Sequence, residues 1–320
     1  MRDQASFYRK ITLAASSMPM LAKSRSTFYN WNNVPRHNSH PFKESDSMAK
    51  PVILHPPRNN PPPITLITDF GLSDGYVGAM KGVILDILPW VQVVDITHDI
   101  EPQNIRQAAF VLHTVTPHFP ECTVHLVVVD PGVGTDRRPI VVYTDHAVYV
   151  GPDNGVFSWI YRTERVREIR ELTNSYYKRA QVSPTFHGRD VFAPFAAHIA
   201  AGAPAPSIGP AVTDPVQFEI PEPIVRANGD IQGQVIHIDS FGNIITNITE
   251  EMLIKADNWT FEVAGLMVSS FHQAYGYAEE GQIVALIGSM GYVEIAIRNG
   301  HAAHRLGAQV DTPVIARPVS

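Results

Sequence analysis

Cysteine is almost missing from this chain: Cys122 is the single one in 320 residues. One thiol excludes an internal disulfide framework and any zinc site built on paired cysteines. Beside an expected strand, Cys122 reads as a small buried hydrophobe. Long apolar runs are scarce too. The mildly apolar stretch 11–21 is broken by Ser16, Ser17 and Pro19. It is a poor secretory core and too short to span a bilayer, so no membrane partner is expected. Positive charge is not in excess. Lys and Arg number 25 against 31 Asp and Glu, for a net charge of −6. That excludes a nucleic-acid binder held by a general basic surface. The 14 histidines are scattered, with no H-x-x-x-H or H-E-x-x-H spacing. No metal site is expected from spacing.

What is present begins with composition: at 44% hydrophobic the chain can bury a real core in two domains. Residues 1–62 stand apart, rich in Ser, Asn, Arg and Pro and ending in a proline-rich linker. Three readings stand for this segment: a disordered extension, an organelle-targeting peptide, or a start placed too early, with Met48 as the alternative. The disordered and dispensable reading is preferred, and the expected location is cytoplasmic unless the segment is a targeting peptide.

From residue 64 the pattern is regular. Strands are expected at 64–68, 91–96 and 124–129, with helices at 76–88 and 105–115 between them. Ser73 is a candidate cap for the first helix. This alternation implies a mainly parallel α/β domain over 63–215. Further strands are expected at 140–143 and 147–150, and further helices at 156–163 and 190–201. After a linker at 216–230, residues 231–320 read as short strands separated by turns, which suggests a small antiparallel barrel or sandwich.

The richest stretch is Val127-Val128-Val129-Asp130-Pro131-Gly132-Val133-Gly134-Thr135-Asp136-Arg137-Arg138. A buried strand ends in an acid, turns on Pro and Gly, and returns two arginines. Arg137 can fold back onto the Asp130 carboxylate. Asp69 closes the first strand, and Thr185-Phe186-His187-Gly188-Arg189-Asp190 opens the last helix of the first domain. In an open α/β sheet such strand ends share one edge, where ligands bind. The second domain offers Asp239-Ser240-Phe241-Gly242-Asn243 and Gly288-Ser289-Met290-Gly291. Each has a plain alternative: a cap, a turn, or a structural ion pair.

Together with Pro152-Asp153-Asn154-Gly155 and Gly291-Tyr292-Val293-Glu294-Ile295-Ala296, these segments resemble the S-adenosylmethionine hydrolases (adenosine-forming). These are also called SAM hydroxide adenosyltransferases and are related to the fluorinase and chlorinase. The resemblance runs from about residue 64 to the end. It implies an α/β domain followed by a smaller β-barrel, and a homotrimer with its site between subunits. It also implies attack of water on the ribose 5′ carbon of S-adenosylmethionine, giving adenosine and methionine without a cofactor. Asp130, Arg137 and His187 are then the catalytic set, with the base unassigned among them.

By the same resemblance, Asp69 takes the ribose hydroxyls, and Phe241 and Asn243 take adenine. Asp239 takes the methionine ammonium and Ser289 the methionine head group. Met290 and Ile297 stand where halogenating relatives carry arginines, so backbone groups are expected to meet the methionine carboxylate, and backbone near Arg298 and Asn299 to read the adenine edge. Three alternatives remain. An adenosyl-halide synthase is disfavoured, because a carboxylate at Asp130 repels halide. A non-catalytic nucleoside sensor would not need the Asp–Arg–His set. A metal-dependent hydrolase would use Asp69, Asp130 and Asp153.

Overall fold

The computed structural model describes residues 61–254, 256 and 258–319. The expected N-terminal extension therefore lies outside the described residues, save for its last prolines. Strands β1 (Ile64–Thr68), β2 (Val93–Thr97), β3 (Val124–Val128), β4 (Pro139–Thr144), β5 (Val148–Pro152) and β6 (Val166–Glu171) form one sheet. Their order is β2-β1-β3-β5-β4-β6. β1 pairs in parallel with β2 and β3, and β3 with β5, while β4 runs antiparallel to both of its neighbours. The sheet is thus mainly parallel on one side and mixed on the other.

Every residue of β1 and β3 is buried, because helices cover both faces. Alternation still sorts the side chains. Ile64, Leu66, Val124, Leu126 and Val128 join a core with α1 (Tyr76–Ile87). Ile67, Val127 and Val129 join another with α2 (Ile105–Val115) and α3 (Ser158–Thr163). Asn104 caps α2, accepting from Gln107 N at 2.9 Å. Ser73 does not cap α1, whose cap position is Gly75. Ser73 precedes that position by two residues, too far out along the chain for the capping bond.

The helix expected at 190–201 is α4 (Ala193–Ala200), entered through a π-helical turn over Gly188–Phe192. Pro194 has no N–H to give a helix interior, so the regular helix opens just before it. A short α5 (Ala205–Ile208) follows. β6 was not among the expected strands: its sequence, VREIRE, carries four charged residues, and the segment 209–212 bonds along its outer edge. Cys122, expected to be buried, is exposed. It lies in the turn before β3 with φ +66°.

The second sheet contains β7 (Ile224–Val225), β8 (Ile231–Ile238), β9 (Ile244–Thr249), β10 (Asn258–Val263), β11 (Leu266–Val268), β12 (Ile283–Ile287), β13 (Tyr292–Ile297) and β14 (Pro313–Val319). A short helix, α6 (Ala302–Leu306), precedes β14. The order β11-β10-β14-β8-β9-β13-β12 is antiparallel throughout. Phe271, beyond β11, bridges Ala285 of β12, so the sheet nearly closes into a barrel. Val235, Phe261, Val293, Ile295 and Val314 fill it.

Candidate functional site

The carboxyl end of β3 delivers Asp130 into the Pro-Gly turn. Val133 N donates to Asp130 O at 3.2 Å, and Thr135 Oγ1 to Gly132 O at 2.7 Å. This winds the loop so that Arg137 returns over Asp130. Gly134 has φ +78°, and a Cβ there would meet Pro184 O at 2.4 Å. Only glycine lets this loop close on the loop that carries His187. The Asn154 amide donates to Val129 O at 2.9 Å, which fixes the strand end and accounts for the Asp-Asn-Gly segment.

The resulting ion pair is bidentate. Arg137 Nε lies 3.0 Å from Asp130 Oδ1, and Nη2 lies 2.5 Å from Oδ2. Nη2 also lies 3.1 Å from His187 Nδ1. A guanidinium can only donate, so Nδ1 accepts, and by that logic the neutral ring carries its proton on Nε2. Both side chains of the ion pair are nearly sealed, at 7% exposure for Arg137 and 4% for Asp130. Arg137 Nη1 is buried without a partner among the described residues, and its guanidinium carbon stands 5.2 Å above the Phe192 ring. Burial pushes the Asp130 carboxyl up, and Arg137 pulls it back only in part. Burial, with Arg137 beside it, pushes His187 below its ordinary value of 6.5.

Asp69 stands at the end of the neighbouring strand. Its Oδ2 accepts from Gln103 N at 2.8 Å, and Gln103 is held at φ +66° to do so. Asp69, Asp130 and His187 line one cleft of about 420 Å³. Phe70, Tyr76 and Phe186 form an aromatic wall there, with ring centroids 5.2–6.0 Å apart. The wall went unassigned in the sequence, although each ring lies within or beside a motif. Asp153 is not in this cleft. Its carboxylate is taken by Arg138 at 2.7 Å and by Val216 N at 2.8 Å. Among the described residues, no three His, Cys, Asp or Glu side chains are grouped to hold a metal ion.

The remaining expected residues, Asp239, Phe241, Asn243, Ser289, Arg298 and Asn299, line a second cleft of about 930 Å³ at the barrel, which Phe110, Val111 and Thr114 of α2 also line. The two clefts share no lining residue. The β8–β9 turn is built by Asp239, which accepts from Phe241 N, Asn243 N and Asn243 Nδ2, each at 2.9 Å. Gly242 holds φ +83° with the His301 ring directly against it. The turn leaves the Phe241 ring 76% exposed. Arg298 turns its guanidinium onto Ala278 O at 2.7 Å, and Asn299 has φ +55°. Two further residues of this cleft were missed as site residues. Tyr275 had no sequence signal, and Glu294 reads as an ordinary strand position.

Residues 64–209 match the family model of the SAM hydroxide adenosyltransferase N-terminal domain, and residues 233–315 match that of the C-terminal domain. The chain belongs to the SAM hydroxide adenosyltransferase family. Within it, the chain is 40% identical over 260 residues to a protein of Thermus thermophilus named (R)-S-adenosyl-L-methionine hydrolase, covering 79% of this chain and 98% of that one. A protein of Salinispora tropica with the same name is 39% identical over 248 residues, covering 77% and 94%. A fluorinase of Actinoplanes sp. is more distant, at 29% over 274 residues, covering 75% and 92%. The crystal structure of an uncharacterized conserved protein from Thermotoga maritima superimposes with a TM-score of 0.75 at 36% identity, covering 79% of this chain and 99% of that one.

Proposed function

We propose that this protein hydrolyses (R)-S-adenosyl-L-methionine to adenosine and L-methionine. The observation that carries the reading is the Arg137-centred chain that links Asp130 to His187 at the edge of a cleft also lined by Asp69. The sulfonium leaves as a neutral thioether, so the leaving group needs no acid. The task is to hold a water in line behind the ribose carbon and to take its proton. His187 has its Nδ1 lone pair occupied and its Nε2 protonated, so it donates and does not accept. Asp130 is then the acceptor. It takes the proton as the water oxygen bonds to C5′ and the C–S bond breaks, and the proton passes on to solvent. Arg137 keeps Asp130 anionic until that moment and orients His187. No cofactor enters the scheme.

Halide synthesis is the second reading, and Asp130 speaks against it: a buried carboxylate at the nucleophile's position repels halide. A homotrimer is part of the proposal. Ribose and nucleophile residues line one cleft, while adenine and methionine residues line another. A second copy that brings its barrel cleft against the first cleft would complete the site and cover the exposed Phe241. The protein is proposed to work in the cytoplasm. Among the described residues no helix is long and apolar enough to cross a membrane.

The deciding experiment is incubation of purified protein with S-adenosylmethionine in water and in concentrated chloride, with products resolved by chromatography. Adenosine and methionine in equal amounts under both conditions are expected. Chloroadenosine would move the assignment to the halogenating relatives, and binding without turnover would make the protein a sensor.

A further inference from the structure

One buried carboxylate in the barrel cleft has no assigned task. Glu294 lies on β13, in register with Ile245 of β9 and Leu286 of β12. It is 6% exposed and still lines the cleft. The Tyr275 hydroxyl donates to its Oε1. Oε2 has no hydrogen-bond partner among the described residues and lies over Gly288, where an added Cβ would come within 2.6 Å of it. Gly288 opens the turn that carries Ser289. Burial pushes the Glu294 carboxyl up, and the nearby Asp239 pushes the same way against the Tyr275 hydrogen bond.

Asp239 is differently placed. A carboxylate offers about four lone-pair sites, and Asp239 already accepts three hydrogen bonds from its own turn. It is chiefly the organiser of the loop that presents Phe241 and Asn243. Glu294 holds the unsatisfied oxygen. That oxygen reaches the cleft from a side chain that is otherwise buried, and a cationic donor meets such a carboxylate oxygen best.

We propose that Glu294, held by the Tyr275 hydroxyl, receives the α-ammonium of the methionyl part of the ligand, with Asp239 beside it as the loop-organising acid. This rests on S-adenosylmethionine being the ligand. That molecule offers three kinds of donor: the ribose hydroxyls, the purine amino group and the α-ammonium. The ribose is expected at Asp69 in the other cleft, and of the remaining two only the ammonium carries a full charge. The adjoining Gly288-Ser289 turn stands where the carboxylate of the same amino-acid head would lie.

The test measures dissociation constants by calorimetry for wild type, Glu294→Gln and Tyr275→Phe. The ligands are S-adenosylmethionine, the analogue lacking the α-amino group, and the analogue whose purine lacks the 6-amino group. Glu294→Gln is expected to weaken S-adenosylmethionine about tenfold to hundredfold and to change the deaminated analogue by no more than about twofold. Tyr275→Phe keeps the carboxylate and should show a smaller loss of the same selectivity; it carries the test if the thermal midpoint shows Glu294→Gln to be misfolded. Equal weakening of S-adenosylmethionine and the deaminated analogue would overturn the proposal, as would a loss that follows the purine amino group. Selective binding without hydrolysis would sink the proposed reaction and leave this inference standing. Hydrolysis with no amino-group selectivity at Glu294 would do the reverse.

Discussion

Arg137 Nη2 donates to His187 Nδ1 across 3.1 Å, and that contact fixes which protons the histidine can exchange. The same nitrogen faces Asp130, so the three side chains are one hydrogen-bonded unit with the cation at its centre.

A unit fails as a unit. Asp130→Asn, Arg137→Ala and His187→Ala are each expected to lower kcat about a hundredfold to ten-thousandfold, with dissociation constants for S-adenosylmethionine little changed. The double variant of Asp130 and His187 should be no slower than the slower single. Asn is preferred to Ala at Asp130, since Ala strands a buried guanidinium. Asp69→Ala should act differently, weakening binding by about 1.5–3 kcal/mol. Single-turnover kinetics with calorimetry separate the two behaviours; losses that multiply across the unit would show independent roles.

The pH profile follows from two opposed shifts. Burial raises Asp130 above its ordinary 3.8, so its active, ionised form disappears at a higher pH than for a free aspartate. His187 is lowered from 6.5, so it stays neutral below that value. The acid limb of kcat/KM is therefore expected above the ordinary aspartate value of 3.8 and assigned to Asp130. An acid limb that vanishes in His187→Ala would assign proton acceptance to the histidine instead.

The divided clefts give an assembly test. Asp130→Asn damages the first cleft and Phe241→Ala the second. If sites form between copies, trimers assembled from equal amounts of the two inactive chains contain some sites with both halves intact, and about a quarter of wild-type activity should return. Light scattering should show the trimer at assay concentration. No recovery from mixed trimers would put both halves of the site within one chain.

His125 sets a stability limit in acid. It lies fully buried on β3, with Nδ1 2.8 Å from Thr65 Oγ1 and Nε2 unpartnered among the described residues. Burial pushes it down to about 3. The unfolded chain then binds a proton below pH 6.5 that the folded chain refuses until about 3. Stability from this group is full above the ordinary value and falls with pH through that window, by up to about 1.4 kcal/mol per pH unit. Urea midpoints should fall more steeply in acid for wild type than for His125→Phe.

The elements around the first cleft were legible because they obey simple periods. Ile64, Leu66 and Ile67, with the run before Asp130, announce buried strands, and seven residues suffice for Arg137 to return to Asp130. β6 was hidden because VREIRE carries four charges in six residues and buries only Ile169 fully. The π-helical entry to α4 leaves no pattern in residues 188–192 beyond Pro194 after it. Asp239 and Asn243 were visible as a polar turn, but not that their hydrogen bonds run to each other. Glu294 escaped because a strand position shows its neighbours' period and not what its own side chain meets across the sheet.

β1 and β3 are hydrogen-bonded neighbours in parallel register, Thr68 opposite Val128. Asp69 follows one residue and Asp130 two residues beyond that pair, so their backbone spacing is set chiefly by the ladder and not by either side chain. On the proposed roles, an exchange of the residue at 130 would alter which nucleophile the pocket tolerates while the proposed sugar anchor, Asp69, stays put. A scaffold of this kind can diversify its reaction one position at a time, without first rebuilding the means of gripping a nucleoside.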